Sequence, residues 1–339
     1  MATEANGVGV TMLDIASRLD ENNKIATIIE MMAQDNLILE DMIAVEGNLP
    51  TGHKTTIRTG LPTATWRRLN YGVQPSKSRT AQITDTCGML EAYAEVDKSL
   101  ADLNGNTAAF RLSEDRAFIE AMNQEMASTL FYGNEASDDA EFTGLAARYA
   151  AYSSDTGLIG NNIVRPTGTG THTDADQTSI WLVGWGNNTC HSIYPKGSMA
   201  GLQHEDLGKQ TLFDAAGGMY EGYRSHYKWD LGLTVRDWRY VVRIANIDTS
   251  GMTSDPAVFD LFNALDDAVT KLRSTTGCRP VFYCNRKVES FLRKQARAKS
   301  TYSLTMDQLT ENRDIVRFGG IPFKRCDAIL NTEAIVTGW

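Results

Sequence analysis

No run of about 18 or more apolar residues occurs in the 339-residue chain, which excludes a membrane-spanning helix and predicts no membrane partner. The N-terminus, MATEANGVGVTMLDIASRLDENN, lacks the basic and apolar regions of a secretory signal. Basic excess is missing too. Lys and Arg number 33 against 42 Asp and Glu, a net charge of −9 with an isoelectric point near 5.2, which argues against a dedicated nucleic-acid binder. The five cysteines, Cys87, Cys190, Cys278, Cys284 and Cys326, are odd in number and scattered, so they suit free, mostly buried thiols in a reducing cytoplasm. No GxSxG, HExxH, P-loop or dinucleotide-binding glycine signature is present, and Gly168 and Gly170 in PTGTGTHT lack the flanking strand and helix that a phosphate cradle needs. What is there is ordinary globular composition, 42% hydrophobic and 22% charged, enough for about two domains or one large elaborated one.

Aromatic and imidazole groups crowd into residues 178–248, which hold Trp181, Trp185, Trp229 and Trp238 with His191, His204 and His226. SIWLVGW and DLGLTVRDWRYVVRIANI are rich in β-branched and aromatic residues and read as strands. His204-Glu205-Asp206 is the best acid–base or metal candidate and the basis of one alternative, a metal-dependent hydrolase. Consecutive side chains on a strand or helix diverge, however, so chemistry there requires partners from elsewhere. Cys190-His191 invites a nucleophile–base reading. A buried cysteine beside a surface histidine is the plainer one. No catalytic, cofactor-binding or metal-binding residue is assigned, and no cofactor is expected.

Along the chain, residues 11–46 read as helical, with Leu13, Ile15, Ala16, Leu19, Ile25, Ile28, Ile29, Met31, Met32, Leu37, Ile38, Met42 and Ile43 on an apolar stripe that fits a core helix pair or an arm packed on a neighbour. Pro50, Pro62 and Pro75 would interrupt any helix over residues 47–82, which read as a long β-hairpin. Its cations Lys54, Arg58, Arg67, Arg68, Lys77 and Arg79 face no acid in the same stretch, so the hairpin either lies on something acidic or is a solvated loop. Residues 113–132 predict a helix with Ser113 as N-cap, Gly133 as stop, and Phe118, Ile119, Met122, Met126 and Leu130 on its apolar face. Glu114, Asp115, Glu120 and Glu125 against Arg116 make its polar face negative. A second helix is predicted over about 256–274, and RPVFYCN as a strand. A basic helix over 286–299 pairs with Asp255, Asp260, Asp266 and Asp267 or is solvated, and Gly319, Gly320 and Pro322 set a turn between short strands.

Taken together, the N-terminal arm, long extended loop, acidic helix, FTGL turn, sheet, RPVFYCN strand–helix and GGIPF ending resemble the major capsid proteins of tailed bacteriophages with the Hong Kong 97-type fold. TSIWLVGWG, IYPKGSMAGLQHEDLG and HYKWDLGLTVRDWRYVVRIANID are similar to the capsid proteins of short-tailed phages of the epsilon-fifteen kind, and the resemblance covers nearly the whole chain. It implies an α+β fold: an N-terminal arm (1–45), an E-loop (46–88) reaching over a neighbouring subunit, and a P domain (89–160) with spine helix 113–132. A mainly A domain (161–317) follows, then a return to the P domain (318–339). The implied function is self-assembly into hexamers and pentamers of an icosahedral shell around double-stranded DNA, made in the host bacterial cytoplasm. The implied partners are scaffolding, portal and decoration proteins, and no long N-terminal scaffolding extension is expected. A nanocompartment shell of the same fold is the other alternative. Charge adds a specific expectation: Arg67 and Arg68 meet Glu120 or Glu125 across the subunit boundary.

Overall fold

The computed structural model describes residues 34–102, 107–168, 176–214, 216–249, 259–298, 304–308 and 314–339. Most of the helical stripe expected over 11–46 therefore lies outside the described residues. Its described end holds one helical turn, α1 (Ile38–Asp41), and a short strand, β1 (Ala44–Glu46), instead of a continuous helix. Asp41 is the reason the turn stays put: Arg279 and Lys324 pair with its buried carboxylate, at 2.8 and 2.7 Å, and Tyr283 donates to it at 2.8 Å. Strand β1 then pairs in parallel with residues 192–194.

The predicted hairpin is present but shorter than expected. Strand β2 (Gly52–Gly60) runs antiparallel to β3 (Arg79–Asp97), from Gly52↔Thr86 out to Gly60↔Arg79. Residues 61–78 form no ladder. Pro62 and Pro75 lack the N–H that a ladder needs there. After the single turn α2 (Lys98–Ala101) comes α3 (Thr107–Tyr132), which starts well before Ser113. The Ser113 hydroxyl is not a cap; it donates to the Phe110 carbonyl inside the helix at 2.7 Å. Residues 107–112 join because Phe110 packs with Val96 and Ala101, so tertiary burial supports the extra turns. Met122, Met126 and Leu130 are buried as predicted, whereas Ile119 is 41% exposed. One residue advances a helix by about 100°, which carries Ile119 off the face that Phe118 and Met122 share.

The next elements are α4 (Leu145–Arg148), β4 (Ile163–Val164), β5 (Thr167–Gly168) and β6 (Gln177–Trp185), in which every residue is buried. They are followed by β7 (Cys190–Tyr194), β8 (Leu202–Phe213), β9 (Met219–Val235) and β10 (Val241–Asp248). The chain continues with β11 (Phe259–Asp260), α5 (Leu261–Lys271), β12 (Arg279–Cys284) and α6 (Arg286–Ala298). It closes through β13 (Leu304–Gln308), β14 (Asp314–Phe318) and β15 (Ile321–Arg325). One mixed sheet runs β13-β14-β15-β12-β6-β7-β9-β3-β2, with β8 on β9 and β10 on β6. No described helix is long and apolar enough to cross a membrane.

Strand β6 organises two cores. It is hydrogen-bonded to β10 and β12 and covered on both faces, which is why its sequence is nearly unbroken apolar residues. Side chains alternate: Trp181, Val183 and Trp185 enter the core with Met126, Leu130, Phe131 and Tyr149, while Ile180 and Leu182 enter the one with Leu261, Leu265, Phe282 and Val288. A buried ion pair closes the first core: Arg243 donates to Glu333 at 2.8 Å, to Ser179 and to the Tyr149 carbonyl, with its guanidinium over Trp181. The second predicted helix spans Leu261–Lys271, so its first predicted turn, with Asp255 and Pro256, lies outside the described residues. On helix α6, Arg286 pairs with Asp327, and Arg293 with Glu289, which also takes Arg325; Asp255 and the side chain of Asp260, two of the expected partners, lie outside the described residues. Asp266 and Asp267 face solvent on α5.

Candidate inter-subunit surface

Only Gly52 and His53 of β2 are buried; beyond them the hairpin leaves the body of the molecule. Gly52 is required there, since a Cβ would meet the Asp85 carbonyl oxygen at 2.1 Å. At the tip, Trp66 is completely exposed, Leu69 90% and Leu61 80%, with Tyr71 and Val73 also open. The tip folds back on itself: Arg67 donates to the Tyr71 carbonyl at 3.1 Å, Ser76 donates to the Thr63 carbonyl at 2.9 Å, and Asn70 takes a positive φ of 65°. Among the described residues, Arg67 and Arg68 form no ion pair with an acid of their own chain. Exposed Trp and Tyr beside Arg is the composition of a binding hot spot, and an apolar patch this open marks a surface that meets another molecule.

The predicted partners of these arginines lie on α3. Glu120 is already engaged within the chain, accepting from the Gln34 amide and from Gln124, both at 2.9 Å. Glu125 is exposed. Ala117 and Ala121, two turns and one turn before it, open on the same side, while Leu112, Arg116 and Ile119 are exposed on another side of the helix. A single chain does not bring Arg67 or Arg68 to Glu120 or Glu125.

His204, Glu205 and Asp206 occupy consecutive positions of β8 and diverge. The His204 ring stacks on Tyr227 at 4.8 Å, Glu205 stands opposite His226, and Asp206 pairs with Arg111, whose guanidinium holds the carboxyl below its ordinary range. Among the described residues no three His, Cys, Asp or Glu side chains converge as metal ligands would. At Cys190-His191, burial pushes the thiol up to about 12, and the histidine is fully buried, contrary to the surface position expected for it. Strand β7 pairs with β1, β6 and β9 at its edges, and Cys190 and His191, which point to opposite faces of the sheet, are both fully buried. Burial, then Arg236, then His53 push His191 down to about 4. A protonated thiol beside a buried neutral imidazole does not make a nucleophile–base pair.

Sequence reasoning missed the root of the hairpin. There His53 Nε2 stands 2.8 Å from Arg236 Nη2, the His53 and His191 rings meet edge to face at 6.1 Å, and Asp85 holds Arg148 at 2.8 Å. The four strand and loop positions are far apart in sequence, and only the pairing His53↔Asp85 and His191↔Thr234 gathers them. The signal that existed was a histidine on an otherwise exposed basic strand.

The whole architecture has counterparts among solved structures. The bacteriophage Epsilon15 structure matches at 39% identity and a TM-score of 0.76, covering 98% of this chain and 99% of that one. The bacteriophage JBD30 capsid matches at 9% identity and a TM-score of 0.51, covering 88% and 92%, a likeness of fold alone. No curated protein sequence matches. An α+β subunit of the Hong Kong 97-like capsid class is thereby defined. Residues 20–337 also match the family model of the major capsid protein GP7, and the chain belongs to that family. It is a phage major capsid protein, a structural component of the virion capsid that associates with copies of itself.

Proposed function

We propose that the chain self-assembles, as hexamers and pentamers, into the icosahedral shell enclosing phage double-stranded DNA, without enzymatic activity. In this reading the division stands as the resemblance implied it: N-terminal arm to residue 45, E-loop 46–88, P domain 89–160 with α3 as spine, a mainly A domain to 317, then the return to the P domain. The observation that carries it is the hairpin tip, where Trp66, Leu69 and cations stand open in a chain whose other tryptophans mostly pack inward. A neighbouring copy supplies what one chain lacks, an acidic and apolar surface. Arg67 and Arg68 approach Glu125 of the neighbour most readily, because Glu120 must first give up its own hydrogen bonds. Each exposed pair contributes only about 0–1 kcal/mol, so charge sets register and assembly rate more than strength.

Scaffolding, portal and decoration proteins join this assembly, the subunit is made in the host bacterial cytoplasm, and packaged DNA lies near the shell without sequence-specific contact. The net charge of −9 supports the last point, since a surface that gripped phosphates would oppose packaging and release. Electron microscopy of the purified protein tests the proposal: closed shells are expected, and Arg67→Glu with Arg68→Glu gives folded subunits that assemble slowly or not at all. Normal particles from the double variant would remove the charge contact. A persistently monomeric wild-type protein would remove the shell.

A further inference from the structure

We infer that the polar cluster at the hairpin root is an acid-sensitive latch: neutral His53 and His191 let β2 close onto Arg236, and protons on these rings release the arm. His53 is the one buried side chain of β2 that can act as a fastener, since the only other buried residue there is Gly52. A guanidinium can only donate, so His53 Nε2 must accept from Arg236 at 2.8 Å. Its other nitrogen faces a donor as well, the Asn48 amide at 3.3 Å. A neutral imidazole accepts at one nitrogen only, so with Nε2 taken by Arg236 the proton sits on Nδ1 and the long Asn48 approach is not a hydrogen bond. A second proton, on Nε2, would set donor against donor at Arg236 and place a cation beside a cation, so the Arg236 contact requires the neutral ring.

The surroundings offer no relief. From β7, His191 is fully buried, and neither ring nitrogen reaches full hydrogen-bond geometry, although the Gly186 backbone slightly favours its charged form. Thr234 on β9 stands opposite it with an unpartnered hydroxyl. Arg236, just past β9, and Arg148 on α4 are fixed positive charges. The one carboxylate facing them from β3 is Asp85, already committed to Arg148 at 2.8 Å with its second oxygen buried and unpartnered. Burial and Arg236 hold both histidines below 6.5 against a smaller opposing pull from Asp85. For a group with a depressed folded value that gains its charge below it, the closed form is favoured above 6.5. That preference is lost as pH falls from 6.5 towards about 4, the values that bracket His191.

The latch concerns the arm's root and is read on unassembled subunits, so it stands or falls apart from shell formation; only its consequence for a neighbour rests on the reading above. Hydrogen–deuterium exchange of the full chain, corrected for intrinsic rates, follows residues 48–60 and 79–87 against β6 as internal reference. For one such histidine the opening equilibrium of the root is expected to rise roughly thirty-fold between pH 7.5 and pH 5, with β6 unchanged. His53→Gln with His191→Gln should abolish the rise, because glutamine accepts from Arg236 without titrating. A root whose protection does not depend on pH, or a double variant that keeps the wild-type rise, overturns the latch. Should that variant fail to fold, Arg236→Gln decides. A smaller rise supports the latch, because the guanidinium's share goes while burial remains, and an unchanged rise overturns it.

Discussion

Strand β6 and the hairpin tip both carry tryptophan among apolar neighbours, yet one is sealed between two cores and the other meets only solvent. The difference lies in what surrounds the aromatics. QTSIWLVGW has no charge, so hydrogen bonding to β10 and β12 buries it without stranding an ion. ATWRRLNYGV puts two arginines between its apolar residues and has prolines on either side, so a ladder is blocked and burial within its own chain would strand cations. The same residue type is therefore a stability element in one place and a contact element in the other.

That contrast can be broken most sharply at the core. Trp181→Ala removes a fully buried ring that also underlies Arg243, and a loss of about 3–5 kcal/mol is expected in denaturant titration of the subunit. Glu333→Ala should cost a similar amount, roughly 3–5 kcal/mol, because Arg243 is then left charged, buried and without its carboxylate. Both variants should fail before assembly is reached. Trp66→Ala is the opposite case: stability should stay within about 0.5 kcal/mol of wild type, while particle yield in electron micrographs collapses. A Trp66 variant that unfolds, or one that assembles normally, would erase the distinction between the two tryptophans.

The sequence carried the central strands well, because SIWLVGW and the VFYC of RPVFYCN are short β-branched and aromatic runs whose burial follows from their lack of charge. The GGIPF turn was equally legible: Gly319 and Gly320 take positive φ values of 57° and 82°. The start of α3 was not legible, since a good local cap at Ser113 was overridden by packing of Phe110 on residues from β3 and α2. The acids that pair with Arg286 and Arg293 of α6 were not legible for a related reason. Glu289 lies within α6 itself and Asp327 beyond the next hairpin, and neither is near in sequence to the helix proposed as partner. At the arm, charge and exposure were readable from composition. The histidine–arginine root was not, because strand register alone brings His53, Asp85, His191 and Arg236 together.

The most direct measurement is a cryo-electron microscopy reconstruction of particles assembled from the purified chain, viewed at residues 61–78. Trp66 and Leu69 are expected to lie on a neighbouring subunit, with Arg67 or Arg68 close to its acidic helix. A reconstruction in which the tip still projects into solvent, or folds back onto its own subunit, would contradict it.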